Sequence, residues 1–162
     1  MTLQLIEGAI TALVTYLDGA FPTKILALNA EYDNIILEDI VGIDAVEQVE
    51  REAQDYPHID VLGIRTDIVS ETMNTVISLH NIALICTMMD DISRLELRTK
   101  GYRYARAIFE LLKTARSTGA LSGYTIKAIS PLDFGPLRWS RDKSKVIANI
   151  IVLVQISTTE VF

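Results

Sequence analysis

Residues 75–89, Thr-Val-Ile-Ser-Leu-His-Asn-Ile-Ala-Leu-Ile-Cys-Thr-Met-Met, decide the fold class. In an extended chain Asn81, Ala83, Ile85 and Thr87 point one way, and Ile82, Leu84, Cys86 and Met88 the other. Both sets are mostly apolar, which predicts a strand in a sheet covered on two sides. Asp90-Asp91 closes that strand. Upstream, Ile59 to Arg65 reads as a second strand, and Tyr56-Pro57 marks the break before it, because the residue ahead of a proline is pushed out of helical geometry. Downstream, residues 94–117 give the clearest helix. It sets Tyr102, Ala105, Phe109, Leu112 and Arg116 on one face and Arg103, Arg106, Glu110 and Lys113 on another, with Gly119 as a cap beyond its end. Two more strands, 123–130 and 145–159, finish the chain.

The opening residues read as a helix, with Leu3, Ile6, Ile10, Leu13, Val14 and Leu17 at spacings of three and four. Asp18-Gly19 reads as its stop, and Pro22 as the turn into a second, shorter helical segment. Asn34 to Val41 has the β-branched content of a strand without its alternation. Asp44 followed by Glu47 matches an N-terminal capping box, so 44–54 reads as an exposed helix or ordered loop. The expected architecture is a single domain, 1–162, with residues 31–55 as an acidic insert. It is α+β, with a mainly antiparallel sheet of about four strands packed against an N-terminal and a central helix.

Composition narrows the class. The 162 residues are 49% hydrophobic and 22% charged, the balance of a folded domain. Cys86 is the single cysteine, which excludes an intramolecular disulfide framework and a multi-cysteine zinc site. The start lacks the basic region of a signal peptide. The most apolar run, Val146 to Ile156, is interrupted by Asn149 and Gln155 and is far shorter than the roughly 20 residues that span a bilayer. A mean hydropathy of +0.28 therefore points to buried strands or subunit contacts, with no membrane partner. The net charge of −6 is unevenly placed. Residues 1–64 hold two basic residues (Lys24, Arg51) against twelve acidic ones, and residues 65–162 hold thirteen basic against nine acidic. Such asymmetry suits a two-sided subunit whose opposite patches meet in an assembly.

Nothing matches a phosphate-binding loop, a dinucleotide turn or a nucleophile elbow. His58 and His80 read as structural, Cys86 as a buried thiol, and Glu38-Asp39 and Asp90-Asp91 as solvated strand ends, so no catalytic residue, cofactor or metal is expected. Two basic, aromatic-containing groups stand out: Arg94, Arg98, Lys100, Arg103 and Arg106 with Tyr102 and Tyr104, and Arg138, Trp139, Arg141, Lys143 and Lys145. Each could line a channel carrying DNA, form a solvated face, or meet the acidic surface of a neighbouring subunit. The last fits best, because the same chain supplies an acidic face.

The order of elements then resembles a known family. An N-terminal amphipathic helix precedes Tyr56-Pro-His-Ile-Asp-Val61, a long strand ending in Asp90-Asp91, the Arg98-Thr-Lys-Gly-Tyr-Arg-Tyr-Ala-Arg-Ala-Ile-Phe-Glu-Leu-Leu112 helix and two closing strands. This resembles the tail terminator, or tail-completion, proteins of tailed bacteriophages. The resemblance implies a non-enzymatic virion protein of the phage neck, assembled in the host cytoplasm. It would form a homo-oligomeric ring of six subunits that caps the tail tube, joins it to the neck connector and lets DNA pass. Alternatives are another virion ring protein, such as a head-tail connector or tube component, or a small enzyme with an unrecognised site. On the first reading, Arg103→Glu with Arg106→Glu would stop assembly and leave the isolated fold intact.

Overall fold

A computed structural model describes residues 6–46, 56–91, 94–130, 133–139 and 143–162. The elements in chain order are α1 (Ile6–Glu31), β1 (Gly42–Val46), β2 (His58–Glu71), β3 (Thr75–Asp90), α2 (Arg94–Thr118), β4 (Thr125–Ile129), β5 (Asp133–Phe134), β6 (Arg138–Trp139) and β7 (Val146–Val161). They form a seven-stranded mixed sheet in the order β1-β2-β3-β7-β4, with β5 and β6 pairing β7. β1 runs parallel to β2, and the other pairings are antiparallel. The expected sheet of about four mainly antiparallel strands is thereby corrected. The acidic insert contributes β1, which turns Ile43 into the core, and the loop after β4 contributes two short pairings to β7. The capping box falls with it. Asp44 lies in β1 opposite Asp60, while Glu47 lies outside the described residues.

The first helix does not stop at Gly19. Ile10, Leu13, Leu17, Phe21, Ile25 and Leu28 form one buried stripe at spacings of three and four, running through Gly19 and Pro22. Burying that stripe outweighs the hydrogen bond that Pro22 removes and the weak helix propensity of glycine. A Cβ placed on Gly19 meets nothing within 4 Å, and its φ is not positive. Gly19→Ala is therefore expected to raise stability by about 1 kcal/mol, read as a higher midpoint in urea unfolding.

α2 closes as expected, with Gly119 at φ +66° and the Ala120 amide donating to Ala115 O (3.1 Å). The face expected to hold Tyr102, Ala105, Phe109, Leu112 and Arg116 together is divided, with Ala105 and Leu112 buried. Leu97, Gly101, Tyr104, Ala105, Ile108, Leu111, Leu112 and Ala115 face inward, while Tyr102, Phe109 and Arg116 face solvent.

Both helices lie on one face of the sheet, α1 over β1 and β2, α2 over β7 and β4. The core sits between them and Ile59, Val61, Ile82, Leu84, Cys86, Ile150, Val152 and Val154. The other face carries Ile77, Leu79, Ile85 and Met89 of β3 with Ile147, Ile151 and Leu153 of β7, half-buried or exposed, and no described helix packs on it. The strand pattern predicts cover on two sides; among the described residues the helical cover lies on one side only, although His58, Asp60 and Thr87 on the other face are buried. Beyond Gly63 the β2–β3 hairpin projects as an arm, paired along one side by the end of β7. Ile64, Ile68 and Val69 are exposed on it, and Met73 at its tip is 98% exposed.

Candidate functional site

The basic residues singled out from the sequence separate into occupied and open ones. Arg103, 9% exposed, enters the body of the subunit. It donates to Asn34 O (2.6 Å), to Ile35 O and to Asn34 Oδ1 (3.2 Å), and its guanidinium lies 3.8 Å from the centre of the Tyr32 ring. Ile35 sits at φ +52°, a region costly for a β-branched side chain. The turn holding it is clamped from the other side by Asn29, whose amide bonds both Leu37 N and Leu37 O at 2.8 Å. Tyr104, buried beside Arg103, donates to Glu38 O (2.6 Å), and burial holds its phenol far above the usual range. Sequence reasoning could not reach these contacts, which join residues about seventy apart.

Arg106 is also occupied within the subunit, donating to Glu31 (2.8 Å), Glu110 (2.7 Å) and the Tyr32 hydroxyl (2.8 Å). These hydrogen bonds raise its pKa, those to Glu31 and Glu110 most. Lys24 and then Arg106, by hydrogen bonding, hold the Glu110 carboxyl below its ordinary range. Lys100 pairs with Asp90 at 2.9 Å and lies 3.8 Å from Glu38, so both acidic pairs noted in the sequence face cations. Lys145 lies 3.9 Å from Asp91. Arg138 donates to the Asn149 amide oxygen (3.0 Å) when that amide is oriented to bond Thr87. Trp139 and Lys143 are exposed. Arg94 begins α2, and Arg141 lies outside the described residues.

Arg98 is different. With Tyr102, Phe109, Lys113 and Arg116 it follows spacings of four, seven, four and three, which align side chains along one flank of a helix. All five are exposed, Tyr102 at 59% and Phe109 at 42%. Arg98, Lys113 and Arg116 make no ion pair among the described residues. Tyr102 meets the Phe134 ring edge-on at 4.8 Å, so this flank leans toward β5. The sequence pattern put Tyr102 and Phe109 on one helix face, but together with Ala105 and Leu112, which are buried.

The two imidazoles stand apart on opposite faces of the sheet. His58, buried, pairs with Thr87 and places Nε2 3.0 Å from Asp44 Oδ2 and 3.6 Å from Asp60 Oδ1, tying β1 to β2. His80, fully buried on the helix side, contacts Thr66 Oγ1 (2.8 Å) and Thr158 Oγ1 (3.2 Å). Burial lowers the His80 pKa, against a smaller opposing effect of Glu160. The folded state therefore disfavours the proton that the unfolded chain accepts near pH 6.5. Stability is full above that pH and falls as the pH drops toward the folded value. His80→Gln is expected to flatten the loss of stability between pH 7 and 5 in urea titrations, and an unchanged slope would refute the assignment. Burial pushes the Cys86 thiol up to about 12, next helped by Asp60, so no thiolate forms near neutral pH. Among the described residues no three His, Cys, Asp or Glu side chains are grouped to hold a metal.

The sheet face on which no described helix packs carries a chain of polar contacts missed by pattern reading. Arg65 meets Asp67 (3.1 Å), Asn81 donates to Asp67 (3.1 Å) and Gln155 donates to Asn81 (2.9 Å), crossing β2, β3 and β7. Beside them lies a shallow cleft of about 230 Å³ lined by Ile64, Ser130 and Leu153. No protein-family model matches the chain, and no curated protein matches it.

Proposed function

We propose that this chain is a structural ring subunit of a bacteriophage neck, which caps the tail tube and joins it to the head-side connector within the virion. The observation that carries the assembly part of this reading is the sheet face on which no described helix packs. A surface bearing Ile77, Leu79, Ile85, Ile147, Ile151 and Leu153 gains when another protein covers it, at about 25 cal/mol for each Å² of apolar area removed from water. The projecting β2–β3 arm adds a second apolar surface at the end of the same sheet. The phage identity is supported by the order of elements: a long N-terminal helix, a strand pair reaching Asp90, the Arg98-to-Leu112 helix and the closing strands. No membrane role is proposed, and no described helix is long and apolar enough to cross a bilayer.

The test is electron microscopy of purified tail tubes incubated with the chain. Extra ring density at one end of each tube is expected. Tubes left bare at saturating protein would overturn the reading. A connector or tube component, the second reading, would instead bind portal-side rings or polymerise alone.

A further inference from the structure

Two flanks of the subunit are built from opposite chemistry. Along α2, the flank running from Arg98 to Arg116 spans about 27 Å at 1.5 Å per residue. It offers three cations without ion pairs and two exposed aromatic rings. It leans toward β5, and so toward the β4 edge of the sheet. Residues 31–46 lead from α1 past the Arg103 and Arg106 side of α2 into the edge strand β1, and contain five acidic residues and no Lys or Arg. Glu31 is held by Arg106 and Glu38 lies near Lys100, whereas Asp33 and Asp39 are exposed and carry no ion pair. Ile36 and Val41 are exposed between and beside them. The segment is not a loose tail, since Arg103, Tyr104 and Asn29 fix its backbone.

We propose that the aromatic–basic flank of α2 docks the acidic segment 31–44 of a second copy of this chain, head to tail. Cations without partners on one flank face acids without partners on the other, and on each flank exposed apolar side chains lie between the charges. That pairing of apolar anchors with a charged rim is what a specific interface requires. The two patches differ, so the contact is heterologous, and a copy that uses its two patches on two different neighbours extends the contact in both directions. Repetition by rotation closes such a contact into a ring. In that closure the inference rests on the ring-subunit reading. The internal ties of Arg103 and Arg106 then acquire a purpose: they hold the acidic docking segment in shape.

The test is a charge swap read by sedimentation velocity and native mass spectrometry. One variant carries Arg98→Glu, Lys113→Glu and Arg116→Glu, and the other Asp33→Lys and Asp39→Lys, with circular dichroism melts confirming that each folds. The parent is expected to associate at micromolar concentration and to dissociate as salt rises. Each variant alone should associate at least tenfold more weakly, and their equimolar mixture should recover association by alternating the two. Unchanged association of either variant, a mixture that stays monomeric, or a parent monomeric at several hundred micromolar would overturn the contact. Tight binding of a short DNA duplex, lost in the first variant and unaccompanied by self-association, would overturn it in favour of a nucleic-acid surface. Rings that never seat on tail tubes would overturn the proposed function and leave the contact standing. Tube binding by both monomeric variants would do the reverse.

Discussion

Arg103→Glu is expected to leave most of the chain unfolded at room temperature. The guanidinium serves three oxygens, Asn34 O, Ile35 O and Asn34 Oδ1, and its replacement puts a carboxylate against acceptors. The acceptors are only partly buried, so each one left without a donor costs about 1 kcal/mol, and a carboxylate in the buried Arg103 site, facing those oxygens, adds the larger share. The total reaches about 5 kcal/mol or more, a large share of the 5–15 kcal/mol that holds a domain together. Ile35 makes the loss greater, because its left-handed backbone persists only while Arg103 and Asn29 fix the turn. Urea unfolding should show the midpoint collapse for Arg103→Glu, with Arg103→Met destabilised less because it keeps the packing against Tyr32. A folded, near-native Arg103→Glu would remove Arg103 from this role. The expectation that the Arg103 and Arg106 double reversal spares the fold is therefore replaced: assembly defects in that variant would follow from unfolding, and only Arg98, Lys113 and Arg116 can test the surface.

Phe21→Ala should cost about 3–5 kcal/mol, the range for emptying a buried phenylalanine site. Phe21 is 1% exposed and lies between Gly19 and Pro22, where local propensity favours ending the helix. Without its ring, the segment from Thr23 to Glu31 loses the contact that carries the helix past the proline. Two readouts should therefore move together: a lower unfolding midpoint, and faster amide exchange in residues 23–31 than in residues 6–17. Leu26→Ala, on the exposed side of the same helix, should change stability by no more than about 0.5 kcal/mol. Equal effects at both positions would show that the stripe does not hold the helix.

Long periodic segments were legible. The helix expected over 94–117 spans Arg94–Thr118, and the strand expected over 75–89 spans Thr75–Asp90. What escaped was whatever depends on a distant partner. Gly42–Val46 turns only Ile43 fully into the core, so its five residues carry too little pattern to announce a strand, and its parallel neighbour is set by the return of the chain. The far half of β2, Arg65 to Glu71, is largely exposed and holds its two apolar residues, Ile68 and Val69, side by side without alternation, and it is extended because β3 pairs with it. In α2, Tyr102 and Phe109 sit seven residues apart and mimic a core seam, while the true seam at Tyr104, Ile108, Leu111 and Ala115 lies a quarter-turn or more away. The candidate surface was half visible. The opposed charges of the two parts of the chain were plain, but which cations stay open was decided by oxygens at positions 31, 34 and 35.

β7 has a consequence of another kind. Its sixteen residues pair one-for-one with β3 over the full length of both strands, and β4, β5 and β6 brace its other side. At about 3.4 Å per residue that ladder is some 50 Å long, reaching from the Asp90 end of the sheet to the tip of the arm. The bonds of an antiparallel ladder lie across the strands. Forces drawing β3 and β7 in opposite directions along their axes would therefore strain those bonds in shear, many at once, instead of peeling them in succession. Along the strands the sheet is held by two continuous backbones and by bonds that yield together, which makes that axis its stiffest.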